Sequence, residues 1–215
     1  MHKYTYYLFS YYGGKTRLIF EIITLMPRTS TILIDVYGGS GAITLNRPPI
    51  FHTCILNDKD PGMYTIHKIM ADQTQNEEFI NRLTDISLYT KQFFDEALKN
   101  QANNWENMSE MDIAIQKYFL VSNSFNSTQA SWVDKNITQD SLKKLRWRLL
   151  SLIVKYRGLQ ITNLDGIDLI KQYKNNKNAL LVLDPPYLLS TRKCKAYTVE
   201  METSEHRELL AEIKD

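Results

Sequence analysis

The sequence is short of the features that usually betray a function quickly. Its two cysteines, Cys54 and Cys194, stand far apart and match no metal-ligand or redox spacing, so zinc sites and a disulfide framework have no support and no metal is expected. That usage suits a reducing cytoplasm. No apolar run approaches the roughly 18 residues that span a bilayer, and the start, Met1-His2-Lys3-Tyr4-Thr5-Tyr6, lacks the apolar core of a signal peptide. Neither a membrane partner nor secretion is expected. Internal repeats and low-complexity segments are missing. So is a charge excess: 26 Lys and Arg face 24 Asp and Glu, a formal net charge of +2. That total permits a nucleic-acid partner without advertising one, and local clustering carries the information.

What is present is enough for one good core. The 215 residues are 43% hydrophobic, which allows one main domain with a smaller insertion. The most informative stretch is Ala179 to Tyr187. Its apolar start, Ala179 to Leu183, reads as a strand buried on both faces, as in a parallel sheet. Asp184 ends the strand, and Pro185 and Pro186 then fix two φ angles and remove two N–H donors, forcing a rigid turn where the carboxylate emerges. Tyr187 follows. A carboxylate, a free proline carbonyl and a flat ring can accept two N–H bonds from a planar amine and stack on its ring, as a nucleobase amino group requires; a plain Pro-Pro turn after a core strand is the alternative.

Three earlier stretches bear on the same chemistry. Thr31 to Asp35 is an apolar strand ending in an acid, followed by Tyr37-Gly38-Gly39-Ser40-Gly41 and a helix from Ala42, the strand, Gly-x-Gly turn and helix that bring backbone close to a nucleoside. The third glycine of a dinucleotide fingerprint is missing. A second strand, Thr53 to Leu56, leads to Asp58, at about the 20 positions beyond Gly39 where an acid meets ribose hydroxyls in Rossmann-like folds; a helix cap is the alternative. Near the start, Tyr11-Tyr12-Gly13-Gly14-Lys15 precedes a helical pattern from Thr16 to Met26. Two glycines opening a helix would present unpaired N–H groups to an anion, although an ordinary helix entry has the same sequence.

Residues 61 to 158 read as helices with long polar stretches. Phe79, Leu83, Ile86, Phe93 and Leu98 suggest one amphipathic helix or a broken pair, and Ser109 caps another helix running towards Leu120. From Ser141 to Gly158, Lys143, Lys144, Arg146, Arg148, Lys155 and Arg157 occur with no acidic residue among them. Leu142, Leu145, Leu149, Ile153 and Tyr156 form the apolar stripe of that helix, so Lys144, Arg148 and Lys155 are expected to lie away from the core, as a solvated face or a phosphate contact. Trp132 and Trp147 are expected in the core. A third strand, Leu159 to Asn163, leads to Asp165. Leu188 to Tyr197 reads as a mobile polar loop with Arg192, Lys193 and Lys195, and Thr203 starts a final helix.

Taken together, Asp184-Pro185-Pro186-Tyr187, the Gly13-Gly14-Lys15 motif, Asp35 to Gly41 and Asp165 resemble, in order, the motifs of the DNA adenine-N6 methyltransferases, the Dam-like branch of the S-adenosylmethionine-dependent amino methyltransferases. Enzymes acting on cytosine N4 or protein glutamine usually carry Ser or Asn where Asp184 stands. The resemblance implies an α/β fold, a Rossmann-like methyltransferase sheet built from 1–60 and 159–215, with a mainly helical target-recognition insertion at 61–158. The family sheet continues with three further strands, so this sheet is expected to end early, in a fragment or a truncated copy. Implied cofactor-binding residues are Tyr11, Gly13, Gly14, Lys15, Asp35, Tyr37, Gly39, Gly41, Asp58, Asp165 and Asp184, holding S-adenosylmethionine and its product S-adenosylhomocysteine. Asp165 would take the cofactor's adenine amino group and Lys15 its methionine end. Val36 departs from the family's proline, Gly166 stands where an aromatic residue is common, and Ser127 replaces a glycine in Ser124-Phe125-Asn126-Ser127. The implied catalytic set is Asp184, Pro185, Pro186 and Tyr187, acting on an adenine flipped from duplex DNA. Asn123, Phe125, Asn126, Lys144, Arg148 and Lys155 are the implied DNA contacts. A monomer from a restriction-modification system or a phage is the expectation; an RNA or protein-glutamine methyltransferase, or a copy that binds without turnover, are the alternatives.

Overall fold

The computed structural model describes residues 5–192 and 195–214. The expectations that touch residues 1–4, Lys193, Cys194 and Asp215 lie outside them. In chain order the helices and strands are α1 (Ile19–Leu25), β1 (Ile32–Asp35), α2 (Ala42–Leu45), β2 (Thr53–Asn57), α3 (Pro61–Ala71), α4 (Asn76–Leu83), α5 (Lys91–Ala102), α6 (Glu110–Ser122), α7 (Gln139–Tyr156), β3 (Leu159–Thr162), α8 (Gly166–Tyr173), β4 (Ala179–Val182) and α9 (Thr203–Glu212). Among the described residues the four strands form one parallel sheet in the order β3-β2-β1-β4. This is the Rossmann-like α/β architecture expected.

Alternation along the short strands sorts the layers, because successive side chains point to opposite faces. Leu33, Cys54 and Leu180 face a core with Ile19, Met26, Ile43 and Phe51 from α1, α2 and the turn before β2. Ile34, Ile55 and Leu181 face the other way, onto Ile167, Leu169 and Ile170 of α8 and Leu209 of α9. Both faces of β1 are therefore covered, which is why it carries no polar residue before Asp35. β4 departs from expectation. Its four residues are only half-buried, because among the described residues it pairs on one side alone, with β1. Val36 also finds its reason here: its N–H donates to the Val182 carbonyl at 3.1 Å, a bond a proline could not make.

The helices from α3 to α7 share one further core with the N-terminal segment, in which Leu8 and Phe9 meet Met63, Ile66, Phe79, Ile115, Tyr118 and Leu149. The apolar pattern expected as one helix or a broken pair is a broken one, α4 and α5 separated by a 3-10 turn at Ile86–Leu88. Ser109 caps α6 as expected, its hydroxyl accepting the Asp112 N–H. Trp132 stacks on Phe119 with ring centroids 5.8 Å apart. Trp147 does not follow: it is 74% exposed on α7, because the apolar stripe of that helix passes through Leu145 and Leu149 and leaves position 147 on the outer side. No helix among the described residues is long and apolar enough to cross a membrane.

A buried histidine joins this helical layer to the sheet. His67 of α3 is fully buried, with Nε2 2.8 Å from the Gly39 carbonyl and Nδ1 2.8 Å from the Tyr156 hydroxyl. A carbonyl only accepts, so Nε2 carries the proton and Nδ1 takes the tyrosine's. Burial pushes the His67 pKa down to about 4. The unfolded chain, near 6.5, binds the proton first, so this histidine's contribution is fully present above pH 6.5 and lost as pH falls towards 4. His67→Gln should be about 1–3 kcal/mol less stable than wild type at pH 7 in urea unfolding. By pH 4.5 that gap should narrow by about 2 kcal/mol; an unchanged gap would mean that His67 is not held neutral.

Candidate active site

The sheet order reverses between β1 and β4, and an open α/β sheet has its crevice where the order reverses, at the carboxyl ends of the strands. The glycine turn after β1 forms one wall. Gly39 (φ 52°) and Gly41 (φ 72°) hold left-handed backbone, and a Cβ on Gly39 would lie 3.1 Å from the Tyr11 ring. Asp58, beyond β2, accepts the Gly39 N–H at 2.9 Å and the Asp60 N–H at 3.0 Å. Burial, aided by the Asp60 charge, pushes its pKa up to about 7. Asp35 at the end of β1 is buried and accepts the Thr44 hydroxyl at 2.8 Å; burial raises it to about 6.

The far wall comes from the turn after β3. Asp165 caps α8 through the Ile167 N–H and pairs with Lys59 at 2.7 Å. Burial pushes its carboxyl upward, but Lys59 and the helix N–H groups outweigh it and hold it below the usual range. Gly166 is a glycine for a steric reason: a Cβ there would lie 2.8 Å from the ring of Tyr37. The Tyr37 ring therefore fills the space that a side chain at 166 would enter. Its hydroxyl is buried without a hydrogen-bond partner among the described residues, and burial raises its pKa to about 12.

Asp184 stands two residues beyond β4, where the cleft of Asp58 and Asp165 meets a second one lined by Gly13, Gly14, Lys15 and Asp35. Lys15 Nζ donates to both Asp184 oxygens, at 2.6 and 2.5 Å, to the Gly13 carbonyl at 2.9 Å and to the Tyr187 hydroxyl at 3.1 Å. Burial works against that ammonium, but Asp184 and Tyr187 keep its pKa above the ordinary lysine value. The glycines before it do not open a helix. α1 begins only at Ile19, and the Gly14 N–H is taken by the Tyr11 carbonyl at 3.0 Å, so the expected row of unpaired donors is closed into a turn. Gly13 (φ 72°) fits between two tyrosines, since a Cβ would meet the hydroxyls of Tyr197 and Tyr187 at 3.0 and 3.2 Å.

Of the described residues beyond Tyr187, Tyr197, Val199 and Glu200 line this corner. Arg192 pairs with Glu200, which also accepts the N–H groups of Ala196 and Tyr197 at 3.1 and 3.2 Å. The Tyr197 ring packs against Tyr11 and Tyr12.

The expected DNA contacts are distributed unevenly. Phe125 is 63% exposed, and Asn126 holds left-handed backbone. Ser127 is left-handed too (φ 58°), which accounts for a glycine preference there, and its hydroxyl donates to the Ser10 carbonyl. Asn123 is buried and donates its side-chain amide to the Phe119 carbonyl, closing α6. Lys144 is exposed. Arg148 does not lie away from the core: it donates to the carbonyls of Tyr7 and Leu8 at 2.7 and 3.0 Å and to the Tyr118 hydroxyl at 3.1 Å. Long cations bury their stems readily, and the uncapped carbonyls of the N-terminal segment offered this one a better seat than water. Lys155 lies half-buried over the Tyr6 ring, 4.4 Å from its centroid. His67 and the fully buried Lys117 have no place in the sequence reading. The one available signal for Lys117 was a lysine inside the apolar run of α6.

The chain matches the family described as D12 class N6 adenine-specific DNA methyltransferase over residues 11–215. No curated protein matches it.

Asp58 provides a measurable consequence. Its folded pKa lies above its unfolded one, so the carboxylate costs stability as pH rises, up to about 7. Relative to wild type, Asp58→Asn should gain up to about 1 kcal/mol in urea unfolding between pH 6 and 8, the partial exposure of the group limiting the effect. Parallel stability curves over that range would show an ordinary surface carboxylate.

Proposed function

As the chain belongs to the D12 class N6 adenine-specific DNA methyltransferase family, we propose that it methylates adenine N6 in duplex DNA with S-adenosylmethionine as donor, on a base turned out into the pocket beyond β4. The observation that carries this reading is the seat around Asp184. An N–H-bearing nitrogen, that of Lys15, is already held by both carboxylate oxygens beside the Tyr187 ring, at the junction with the cleft of Asp58 and Asp165. An adenine amino group offers the same donors on a flat ring.

The cleft fits the donor on its own features: the orphaned Tyr37 hydroxyl, the Asp58 carboxylate, and a Gly39 whose added Cβ would close the space against Tyr11. When bound there, S-adenosylmethionine supplies an electrophilic methyl group on a sulfonium and leaves as S-adenosylhomocysteine. Tyr11, Gly13, Gly14, Asp35, Gly39 and Gly41 would shape the methionine side, Asp58 would accept ribose hydroxyls, and Asp165 and Tyr37 would hold the adenine. Asp184 and the Pro185 carbonyl would accept both N–H groups of the target amine. That draws its nitrogen towards tetrahedral geometry and stabilises the positive charge that develops there, until one of the two N–H protons is released to solvent and the neutral methylated amine remains. Pro185 and Pro186 keep those acceptors rigid, and Tyr187 stacks on the base. Lys15 must yield Asp184 as the amine enters, since ammonium and amine compete for the same lone pairs, and it then faces the Tyr187 hydroxyl and the Gly13 carbonyl.

Turning the base out costs a few kcal/mol, met by stacking and phosphate contacts. Residues 61–158 are the proposed target-recognition region, inserted in a catalytic domain of 1–60 and 159–215. Lys144, Phe125 and Asn126 are its proposed DNA contacts, whereas Asn123, Arg148 and Lys155 serve it by packing.

The test is transfer of labelled methyl from S-adenosylmethionine to unmethylated duplex DNA of mixed sequence, followed by hydrolysis to identify the base. Labelled N6-methyladenine is expected. Asp184→Ala should abolish transfer and leave S-adenosylhomocysteine binding within severalfold; normal transfer by that variant would sink the assignment of Asp184. Binding without transfer by the wild-type chain would favour the reading as a copy without turnover.

A further inference from the structure

Lys117 is a buried cation that the mechanism above does not use. It sits in the middle of α6, fully shielded from water, with Nζ 2.6 Å from Asp60 Oδ2, 2.9 Å from Gln101 Oε1, 2.8 Å from Gln129 Oε1 and 2.6 Å from the Thr198 hydroxyl. Its stem lies flat on α3, where a Cβ at Gly62 would meet Lys117 Cγ at 2.7 Å. An isolated buried charge is costly, so a lysine here needs a compensating partner, and Asp60 supplies it.

The partners converge on one corner of the cleft. Asp60 caps α3 with Oδ1 and gives its own N–H to Asp58 Oδ1, while Asp58 Oδ2 holds the glycine turn through Gly39. Thr198 belongs to the segment that carries Tyr197 and Glu200 along the cleft. Two neighbouring carboxylates disfavour each other's ionisation, and a cation on one relieves the other. We propose that Lys117 is a positioning residue for the cofactor: it offsets the charge of Asp60 so that Asp58 can serve as hydroxyl acceptor, and it fastens the segment of Thr198 over that acceptor. This rests on the reading of Asp58 as the ribose contact. The titratable groups facing Asp58 are Asp60 before α3, Lys117 of α6 and Tyr11 of the N-terminal segment; Lys59 turns away to Asp165 and Glu205. Burial and Asp60 raise the Asp58 pKa, and Lys117 opposes them.

The experiment compares wild type, Lys117→Met and the double variant Asp60→Asn, Lys117→Met by calorimetric titration with S-adenosylhomocysteine from pH 6 to 9, alongside a carboxyl-carbon NMR titration of Asp58 without ligand. In Lys117→Met the pH at which binding reaches half its maximum should move up by about one unit, a loss of about fivefold at pH 7, with the Asp58 titration moving alike. The double variant, which removes both charges, should return the midpoint to the wild-type position or below. Should Lys117→Met not fold, Lys117→Gln, which is polar but uncharged, takes its place. A folded variant with an unmoved Asp58 titration, or equal losses in single and double variants with no pH shift, would reduce Lys117 to packing and overturn the proposal. Failure of the wild-type protein to bind S-adenosylhomocysteine would remove the cofactor reading instead, and the NMR titration would still decide whether Lys117 controls Asp58.

Discussion

The parallel pairing of β1 with β4, Ile32 to Asp35 against Ala179 to Val182, is the constraint on which the site depends. It sets the end of each strand beside the other, so Asp35 and the glycine turn emerge next to Asp184. β2 and β3 then bring Asp58 and Asp165 to the same edge by pairing in register on the other side. The acids gather because four strands end together, and none of them needs to be near another in sequence. Lys15 completes the set from the N-terminal segment, where Arg148 and Tyr118 hold the carbonyls of Tyr7 and Leu8.

Gathering acids in one crevice has an electrostatic cost. Asp35 and Asp58 are both raised by burial, Asp184 is matched by Lys15, Asp165 by Lys59, and Asp60 by Lys117. Three lysines from three separate parts of the chain thus make a concentration of carboxylates tolerable. Among the described residues, the two raised acids are held by a hydroxyl and by backbone N–H groups in place of a lysine.

The sequence made the strand ends legible because their chemistry is local. An apolar run that stops at an acid, glycines that permit left-handed backbone, and prolines that forbid continuation can be read without knowing the fold. The α/β class, the glycine turn after β1 and the positions of Asp35, Asp58, Asp165 and Asp184 all follow from such signals. What was not legible depends on partners far away in the chain. Arg148 looked like a phosphate contact because nothing in its helix shows that the carbonyls of Tyr7 and Leu8 will lie beside it. Trp147 looked like core by residue type, and its position relative to the apolar stripe decided otherwise. Gly166 looked like a missing aromatic until Tyr37 was found in the space. His67 and Lys117 each act through contacts from several elements, so no window of sequence contains their reason.

The β1–β4 ladder also bears on how the molecule comes to exist. Its strands are separated by nearly the whole helical layer, and a pairing of such long range pays its loop-closure entropy before any of its contacts reward it. β1 and β2 are joined by a short connection that holds α2, so their pairing closes a far smaller loop, whereas Asp184 reaches the crevice only with β4. Until then β1 presents an unpaired edge of Ile, Leu and Ile to any strand that meets it. The docking of β4 therefore sets Asp184 beside Asp35 and moves the open edge of the sheet from β1 to β4, whose outer side pairs with no strand among the described residues.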